Sequence, residues 1–365
     1  MDAGKLAAVA AVASALVCLV LRRRTPPPLP PPPETMRAVV AREGACSVAS
    51  HWPTPSPGDL EVMIAVKATA VNRLDCMQRA GKAPVPTGVT EVLGLEASGV
   101  VVRCGARVRN FRVGDEVMAL APGGAYAEYL VVDARTVMLK PASLSWAEAA
   151  SIPEAWLTAY KLVHTVGKVQ AGETVLVHAA ASGVGMAAVQ LVVAAGATAL
   201  VTVGSAEKLA FCQRLGAAGG AIRHDGPWGE TIAALAPGGK VDVVLDCVAG
   251  GYASQTLSVL ATDGRWVLYS MLSGAALAPE ELGKTFLAQL MKKRLSLLAT
   301  TLRTRPLPYK QRLVEQFVAG ALPRLAARRM EHVIDREFRG LEEAQAAHEY
   351  MQADANAGKI VITLE

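Results

Sequence analysis

The stretch "VLVHAAASGVG", residues 175–185, has a β-branched run followed by a small-residue turn and the start of an apolar helical pattern. In the spacing G-x-G-x-x-G only Gly185 is in register, with Ala180 and Ser182 at the other two places. A strand that turns into a helix there presents main-chain N–H groups to an anion. Gly183 and Gly185 let the backbone come close, Val184 adds an N–H and Ser182 a hydroxyl. Taken alone, the degenerate motif is as good a structural turn as a pyrophosphate cradle. Further on, "LVTVGSAEK" puts Gly204, Ser205 and Lys208 where a dinucleotide site discriminates at the adenosine ribose, about twenty residues after the glycine turn. An NAD site keeps an Asp or Glu there for the ribose hydroxyls. Here no acid occurs before Glu207, Gly204 leaves room for a 2′-phosphate, Ser205 can donate and Lys208 supplies charge, which points to NADPH. The competing reading of Lys208 is a solvated helix residue beside Glu207.

The surrounding pattern decides how the turn is read. Between residues 156 and 299, short β-branched runs such as "ATALVTVGS", "KVDVVLDCV" and "GRWVLYS" alternate with helical stretches such as "GMAAVQLVVAAG" and "AEKLAFCQRLGA". This alternation predicts a doubly wound α/β sheet, with the turn in its first βαβ unit, where a nucleotide belongs. Residues 36–155 are β-rich and punctuated by "SPGD", "RVGDEV" and "APGGAY", which predicts a separate domain of short strands. Residues 300–365 read as a return segment ending in the strand "GKIVITLE".

This order of segments resembles the medium-chain dehydrogenase/reductase superfamily, specifically its zinc-free quinone oxidoreductases. The resemblance is carried by "AVNRLDCMQRAG", "LGLEASGVV", "GGAYAEYLVV", "SIPEAWLTAY", "HAAASGVG" and "DGRWVLYSML". The pieces "IPEAWLTA", "DGRWVLY" and "GKIVI" look most like the p53-inducible branch of those enzymes. It implies a GroES-like β-rich catalytic domain over residues 36–155, a Rossmann NADPH-binding domain over 156–299, and a final segment, 300–365, completing the first. By the same resemblance, Asn72 lies beside the nicotinamide, Thr158 lies near the cofactor or substrate oxygen, and Arg223 and Tyr269 join the cofactor site. Arg223 stands where relatives carry a tyrosine against the adenine. Each has a plainer reading: Asn72 as the polar anchor of a buried turn, Thr158 as a hydroxyl bonded back along its helix. Glu96 and Asp75 read as buried, paired carboxylates. Relatives also carry a quinone-positioning tyrosine where this chain has Ala83. In zinc-dependent members a cysteine, a Gly-His-Glu and a four-cysteine lobe bind metal; here Asn72, Leu95 and no cysteine cluster occur, so no metal is expected. The implied reaction is metal-free hydride transfer to a quinone, with two alternatives: reduction of conjugated enones or enoyl thioesters, and an NADPH-binding sensor or scaffold with little turnover. A homodimer pairing Rossmann sheets along "GRWVLYSML" and the segment after it is the expected assembly.

Composition restricts the other partners. A chain of 365 residues that is 52% hydrophobic and 19% charged has ample material for two cores. The net charge of +5 is scattered and the aromatic content is 5%, so no basic stripe with stacking residues exists for nucleic acid. Cys18, Cys46, Cys76, Cys104, Cys212 and Cys247 show no metal-ligand spacing and read as small buried hydrophobes in a cytoplasmic, reducing compartment. Residues 6–21 form an apolar run followed by Arg22, Arg23, Arg24 and the proline-rich stretch up to residue 35. The run is shorter than a comfortable span of about 20 residues, and its charges follow it, which fits an uncleaved membrane tether with the folded body on the cytosolic side and a stiff spacer between. An organelle presequence or a disordered extension fits as well.

Overall fold

Two kinds of strand build the chain, and their burial patterns tell them apart. The structure, a computed structural model, describes residues 31–277 and 280–364. Strands β1 (Thr35–Arg42), β2 (Ala45–Pro53) and β3 (Glu61–Ala70) are followed by helix α1 (Arg73–Arg79). Strands β4 (Glu96–Cys104), β5 (Glu116–Leu120), β6 (Tyr129–Asp133) and β7 (Val137–Leu139) come next, then helices α2 (Trp146–Ala150) and α3 (Pro153–Tyr160). An alternating run follows: β8 (Thr174–Val177), α4 (Gly183–Ala194), β9 (Thr198–Val203), α5 (Ala206–Arg214), β10 (Gly219–Ile222), α6 (Trp228–Leu235), β11 (Val241–Asp246), α7 (Ala253–Val259), β12 (Leu260–Leu268), α8 (Glu280–Lys293) and β13 (Ser296–Ala299). The described chain finishes with α9 (Leu307–Gly320), α10 (Leu322–Ala326), β14 (Ile334–Arg339), α11 (Ala344–Gln352) and β15 (Lys359–Thr363).

The later strands form a six-stranded sheet in the order β10-β9-β8-β11-β12-β13, and every pairing in it is parallel. This is the doubly wound order: β9 and β10 progress to one side of β8, and the chain then crosses to β11 on the other. Burial alternates with the pleat. Val175 and Val177, Val201, Val243 and Leu245, and Val267 face one apolar cluster, whereas Leu176, Leu200, Val244 and Trp266 face a second on the opposite side. Helices cover both faces, so the strands read as continuous apolar runs.

The early strands make a seven-stranded sheet, β14-β15-β3-β4-β5-β7 with β6 also on β3, and β1 and β2 form a separate antiparallel hairpin. β3 and β4 approach so closely that a Cβ on Gly99 would sit 2.1 Å from the Ala65 carbonyl oxygen, beside the register shift at Val66 and Ala68. β15 inserts between β14 and β3, so residues 359–363 belong to this first sheet. Within Pro33–Glu365, a single compact unit, helix α3 packs between the two sheets and runs on as a π-helix, Lys161–Val166.

Of the two segments expected at a dimer edge, the one that follows "GRWVLYSML" supplies an outer strand and "GRWVLYSML" itself does not. β12, which carries "GRWVL", is paired on both sides by β11 and β13, and the outer strands of the parallel sheet are β13 and, at the other side, β10. Of the described cysteines, Cys76, Cys212 and Cys247 are buried as expected, but Cys46 and Cys104 are only half-buried, and none is in a disulfide. Residues 6–21 lie outside the described residues. Among those that are described, no helix is long and apolar enough to cross a membrane.

Candidate functional site

The site forms where the parallel sheet reverses its order, at the carboxyl ends of β8 and β11. Two non-glycine residues there are left-handed, Ala179 at φ 49° after β8 and Ala249 at φ 65° after β11. Such backbone costs of order 1–3 kcal/mol each and collects at functional sites. β11 ends on the buried Asp246, whose carboxylate accepts from the N–H groups of Val248 and Ala249 and from Trp266 Nε1, fixing the loop that follows.

Ser182 N-caps α4, its hydroxyl oxygen accepting from Gly185 N at 3.1 Å. Gly183 and Val184 fill the first turn, where main-chain N–H groups have no helical acceptor and point out of the helix end. A Cβ on Gly185 would stand 2.5 Å from Ala180 Cα and 2.6 Å from the Ala179 carbonyl oxygen, so close packing of strand against helix requires glycine there. Ser205 likewise N-caps α5, accepting from Lys208 N at 3.3 Å, and its hydroxyl also holds the exposed Glu207 carboxyl below its ordinary range. A Cβ on Gly204 would find only the Arg223 side chain within 4 Å, at 3.8 Å from Nε. Arg223 thus borders the space at the end of β9, Lys208 lies in the first turn of α5, and both reach Asp354. Tyr269 follows β12; its hydroxyl donates to the Cys247 thiol, and burial raises its pKa well above the ordinary value.

Across the cleft, Asn72 precedes α1 and stands at the centre of a buried charge network. Its Nδ2 donates to Glu96 Oε1 at 2.9 Å, and its Oδ1 accepts from Lys359 Nζ at 2.8 Å. Lys359 Nζ also donates to Glu96 Oε1 at 2.7 Å and to the Val71 carbonyl oxygen at 3.1 Å, while Glu96 Oε2 accepts from Glu154 N at 2.7 Å. Glu96 is fully buried and Lys359 is 3% exposed. Asp75 accepts from the N–H groups of Asn72 and Gly94, and burial pushes its carboxyl up to about 7. These bonds give Asn72 the plainer of its two expected roles, the polar anchor of a buried turn.

Thr158 does not bond back along its helix. Its Oγ1 is buried with no partner, an orphaned donor and acceptor between the two sheets. Glu154, Thr158 and Lys161 recur at helical spacing along α3 and its π-helical extension. Burial, reinforced by Glu96 and opposed by Lys161 and Lys359, raises the Glu154 carboxyl to about 7. Burial lowers the Lys161 ammonium to about 8, opposed by Glu154. Neither residue stood out in the sequence, and no short motif contains them as a pair. Lys359 was hidden too, a single lysine in an apolar strand. Ala83, half-buried in the loop after α1, brings no hydroxyl to the cleft.

Residues 58–142 match the family described as alcohol dehydrogenase GroES-like domain, and residues 183–319 match the family described as zinc-binding dehydrogenase. Among curated proteins, the phthioceranic/hydroxyphthioceranic acid synthase of Mycobacterium tuberculosis is 34% identical over 219 residues, 60% of this chain and 10% of that protein. The chain thus spans about a tenth of the length of the curated relatives it matches. Among solved structures, an NAD-dependent alcohol dehydrogenase superposes with a TM-score of 0.78 at 29% identity, covering 90% of this chain and 100% of the other. The JamJ enoyl reductase gives 0.78 at 26%, covering 91% and 100%. The quinone oxidoreductase of Coxiella burnetii gives 0.73 at 27%, covering 90% and 99%. With the GroES-like and Rossmann-type sheets, these matches place the chain in the medium-chain dehydrogenase/reductase superfamily, whose members use a nicotinamide cofactor.

The residues present fit that cofactor, by the open α4 N-terminus, the space beside Gly204 and the orphaned Thr158 hydroxyl. They do not fit the zinc named in the second family description. Glu96 is saturated by an amide, an ammonium and a main-chain N–H, and the cation at that place is Lys359. Among the described residues no three His, Cys, Asp or Glu side chains gather as a metal requires.

Proposed function

We propose that the chain is an NADPH-dependent reductase of conjugated carbonyl compounds, with enones or enoyl thioesters as the first substrate class. The observation that carries this reading is the α3 face, where the unpartnered Thr158 hydroxyl lies at helical spacing from Glu154, whose carboxyl burial raises to about 7, and from Lys161, whose ammonium burial lowers to about 8. Bound NADPH supplies the hydride. Reduction of a conjugated carbonyl needs that hydride on the β-carbon and a proton on the α-carbon or oxygen. A carboxyl with a pKa near 7 is suited to giving the proton up. Thr158 Oγ1 offers a hydrogen bond to the substrate oxygen, and the N-terminal turn of α4 holds the pyrophosphate through main-chain N–H groups. Lys359, Asn72 and Glu96 keep the floor of the cleft rigid.

The relatives support this reading, because an enoyl reductase superposes on the chain as well as the alcohol dehydrogenase does, and reducing polyketide synthases are among the curated proteins the chain matches. Quinone reduction is the second reading, favoured by the similarity to the Coxiella quinone oxidoreductase, and it needs no proton donor as precisely placed. The discriminating experiment is NADPH oxidation measured against a panel of enones, enoyl thioesters, and 1,2- and 1,4-quinones. We expect turnover of enones or enoyl thioesters to fall in Glu154→Gln with its pH dependence near 7 flattened, and quinone turnover to be little changed. Turnover of quinones alone would replace the first reading with the second. NADPH binding without consumption of any acceptor would leave the sensor or scaffold.

A further inference from the structure

Three cations from three separate segments converge on one residue, Asp354, two on its carboxylate and one on its main-chain carbonyl. Asp354 lies in the turn between α11 and β15 and has a left-handed backbone, φ 50°. Its Oδ1 accepts from Arg73 Nη2 of α1 at 2.6 Å, and its Oδ2 lies 3.6 Å from Arg223 Nη2, beyond β10. Its main-chain carbonyl accepts from Lys208 Nζ of α5. Arg223 is the side chain beside Gly204 and Lys208 lies in the first turn of α5 just after it, so two positive side chains placed for a ribose 2′-phosphate are already turned toward Asp354. All of these groups are partly exposed, with Asp354 52%, Arg73 36% and Arg223 42% exposed at the side chain, and a ligand can therefore exchange with the pairs they form.

We propose that Asp354 is a built-in competitor for the cofactor phosphate: its carboxylate holds Arg73 and Arg223 and its main-chain carbonyl holds Lys208, and the 2′-phosphate of an adenine dinucleotide must take over this seat of three cations. This rests on the reading of the cleft as a nicotinamide dinucleotide site. The charges support it. The three cations and Asp354 leave a net charge of +2, and a phosphate monoester brings about −1.5 to −2 at neutral pH. The seat is therefore neutralised when the phosphate enters with Asp354 still nearby, and is in excess by one positive charge when Asp354 is removed. The same residue joins the strand ends of the parallel sheet to α1 and to the approach to β15. Phosphate binding therefore competes with a tie that crosses the cleft, and Asp354 sets how strongly a phosphorylated cofactor is preferred over one without the phosphate.

Titration calorimetry on the full chain with adenosine 2′,5′-bisphosphate and with adenosine 5′-monophosphate tests this without turnover. The monophosphate reports the adenine site alone, and inorganic phosphate added as a third probe separates a seat for any free anion from one that needs the nucleoside. Asp354→Asn is expected to tighten the 2′,5′-bisphosphate about tenfold at low salt, to lose that gain as ionic strength rises, and to leave the monophosphate unchanged. Asp354→Ser, with unfolding midpoints for both variants, guards against an effect of altered folding. An unchanged or lowered ratio between the two nucleotides in both variants would overturn the proposal while leaving the nicotinamide cleft intact. Binding of neither nucleotide to the unmodified chain would remove the cleft reading and this inference with it.

Discussion

His332 shows at the scale of one residue how burial becomes a pH response. Its Nδ1 accepts from Trp156 Nε1 at 2.7 Å, so its Nε2 carries the proton and donates to Ser151 Oγ at 2.6 Å. Burial, reinforced by Lys359, lowers its pKa to about 3. The ordinary value is about 6.5, so between the two the unfolded chain takes up a proton that the folded chain refuses. The stability owed to this neutral ring is complete above about pH 6.5 and is lost as pH falls toward 3. His178 and His348 act in the same direction, with values lowered to about 4 and about 3. Asp75 and Glu154 act oppositely: their raised values favour the fold at low pH, and that contribution is lost as pH rises toward 7. A comparison of His332→Gln with the unmodified chain isolates one proton. We expect the slope of unfolding free energy against pH between about 3.5 and 6 to be shallower in the variant by up to about 1.4 kcal/mol per pH unit, read from denaturant unfolding. Identical slopes would show that the ring is charged in the fold. At this scale the sequence was most legible where a site is local. Ser182, Gly185, Gly204 and Ser205 lie within their own turns, and each is where its spacing put it. Lys359 could not be read, because its partner Glu96 is 263 residues away and no periodicity links them.

Elements carry the next set of consequences. The β8–α4 junction has no room at Gly185, where an added Cβ would meet main-chain atoms of Ala179 and Ala180 that cannot step aside. Gly204, at the β9–α5 junction, has only the movable Arg223 side chain nearby. Gly185→Ala is therefore expected to cost several kcal/mol and to abolish nucleotide binding, by analogy with other overpacked sites. Gly204→Ala should leave the unfolding midpoint within about 2 °C and weaken only nucleotides bearing a 2′-phosphate. Equal midpoints for the two variants, measured by thermal melts, would mean the helix can slide away from the strand. The alternation of strand and helix was legible because each parallel strand is apolar on both faces and each helix follows at short range. The first sheet was harder. β15 was recognised as a strand, but its place between β14 and β3 depends on contacts no local pattern encodes, and an outer edge of the parallel sheet falls on the short β13 and not on the more conspicuous β12.

For the whole molecule, the open question is what covers that edge. β13 presents Leu297 at 42% exposure, and α8 beside it presents Leu287 at 73% and Met291 at 78%. An exposed strand edge next to an apolar helix face is a liability that proteins usually cover. We expect a second copy to pair along β13, giving a dimer by sedimentation, and Leu297→Lys combined with Met291→Asp to release folded monomers that still bind nucleotide. A monomer in the unmodified chain at micromolar concentration would refute this.

The position of β15 has a further meaning for how the chain is made. Lys359 donates to the Val71 carbonyl oxygen across 288 residues, and the strand carrying it is the neighbour of β3. As the polypeptide leaves the ribosome, β3 has neither that neighbour nor the cation for Glu96, while β8 to β13 emerge with all of their own partners close by in sequence. The half with the parallel sheet can therefore fold while synthesis continues, and the half that emerges first must wait, with a buried carboxylate uncompensated, for a lysine translated 263 residues after Glu96. Interruption of synthesis before residue 359 should consequently leave a product with one well-formed sheet and one aggregation-prone sheet.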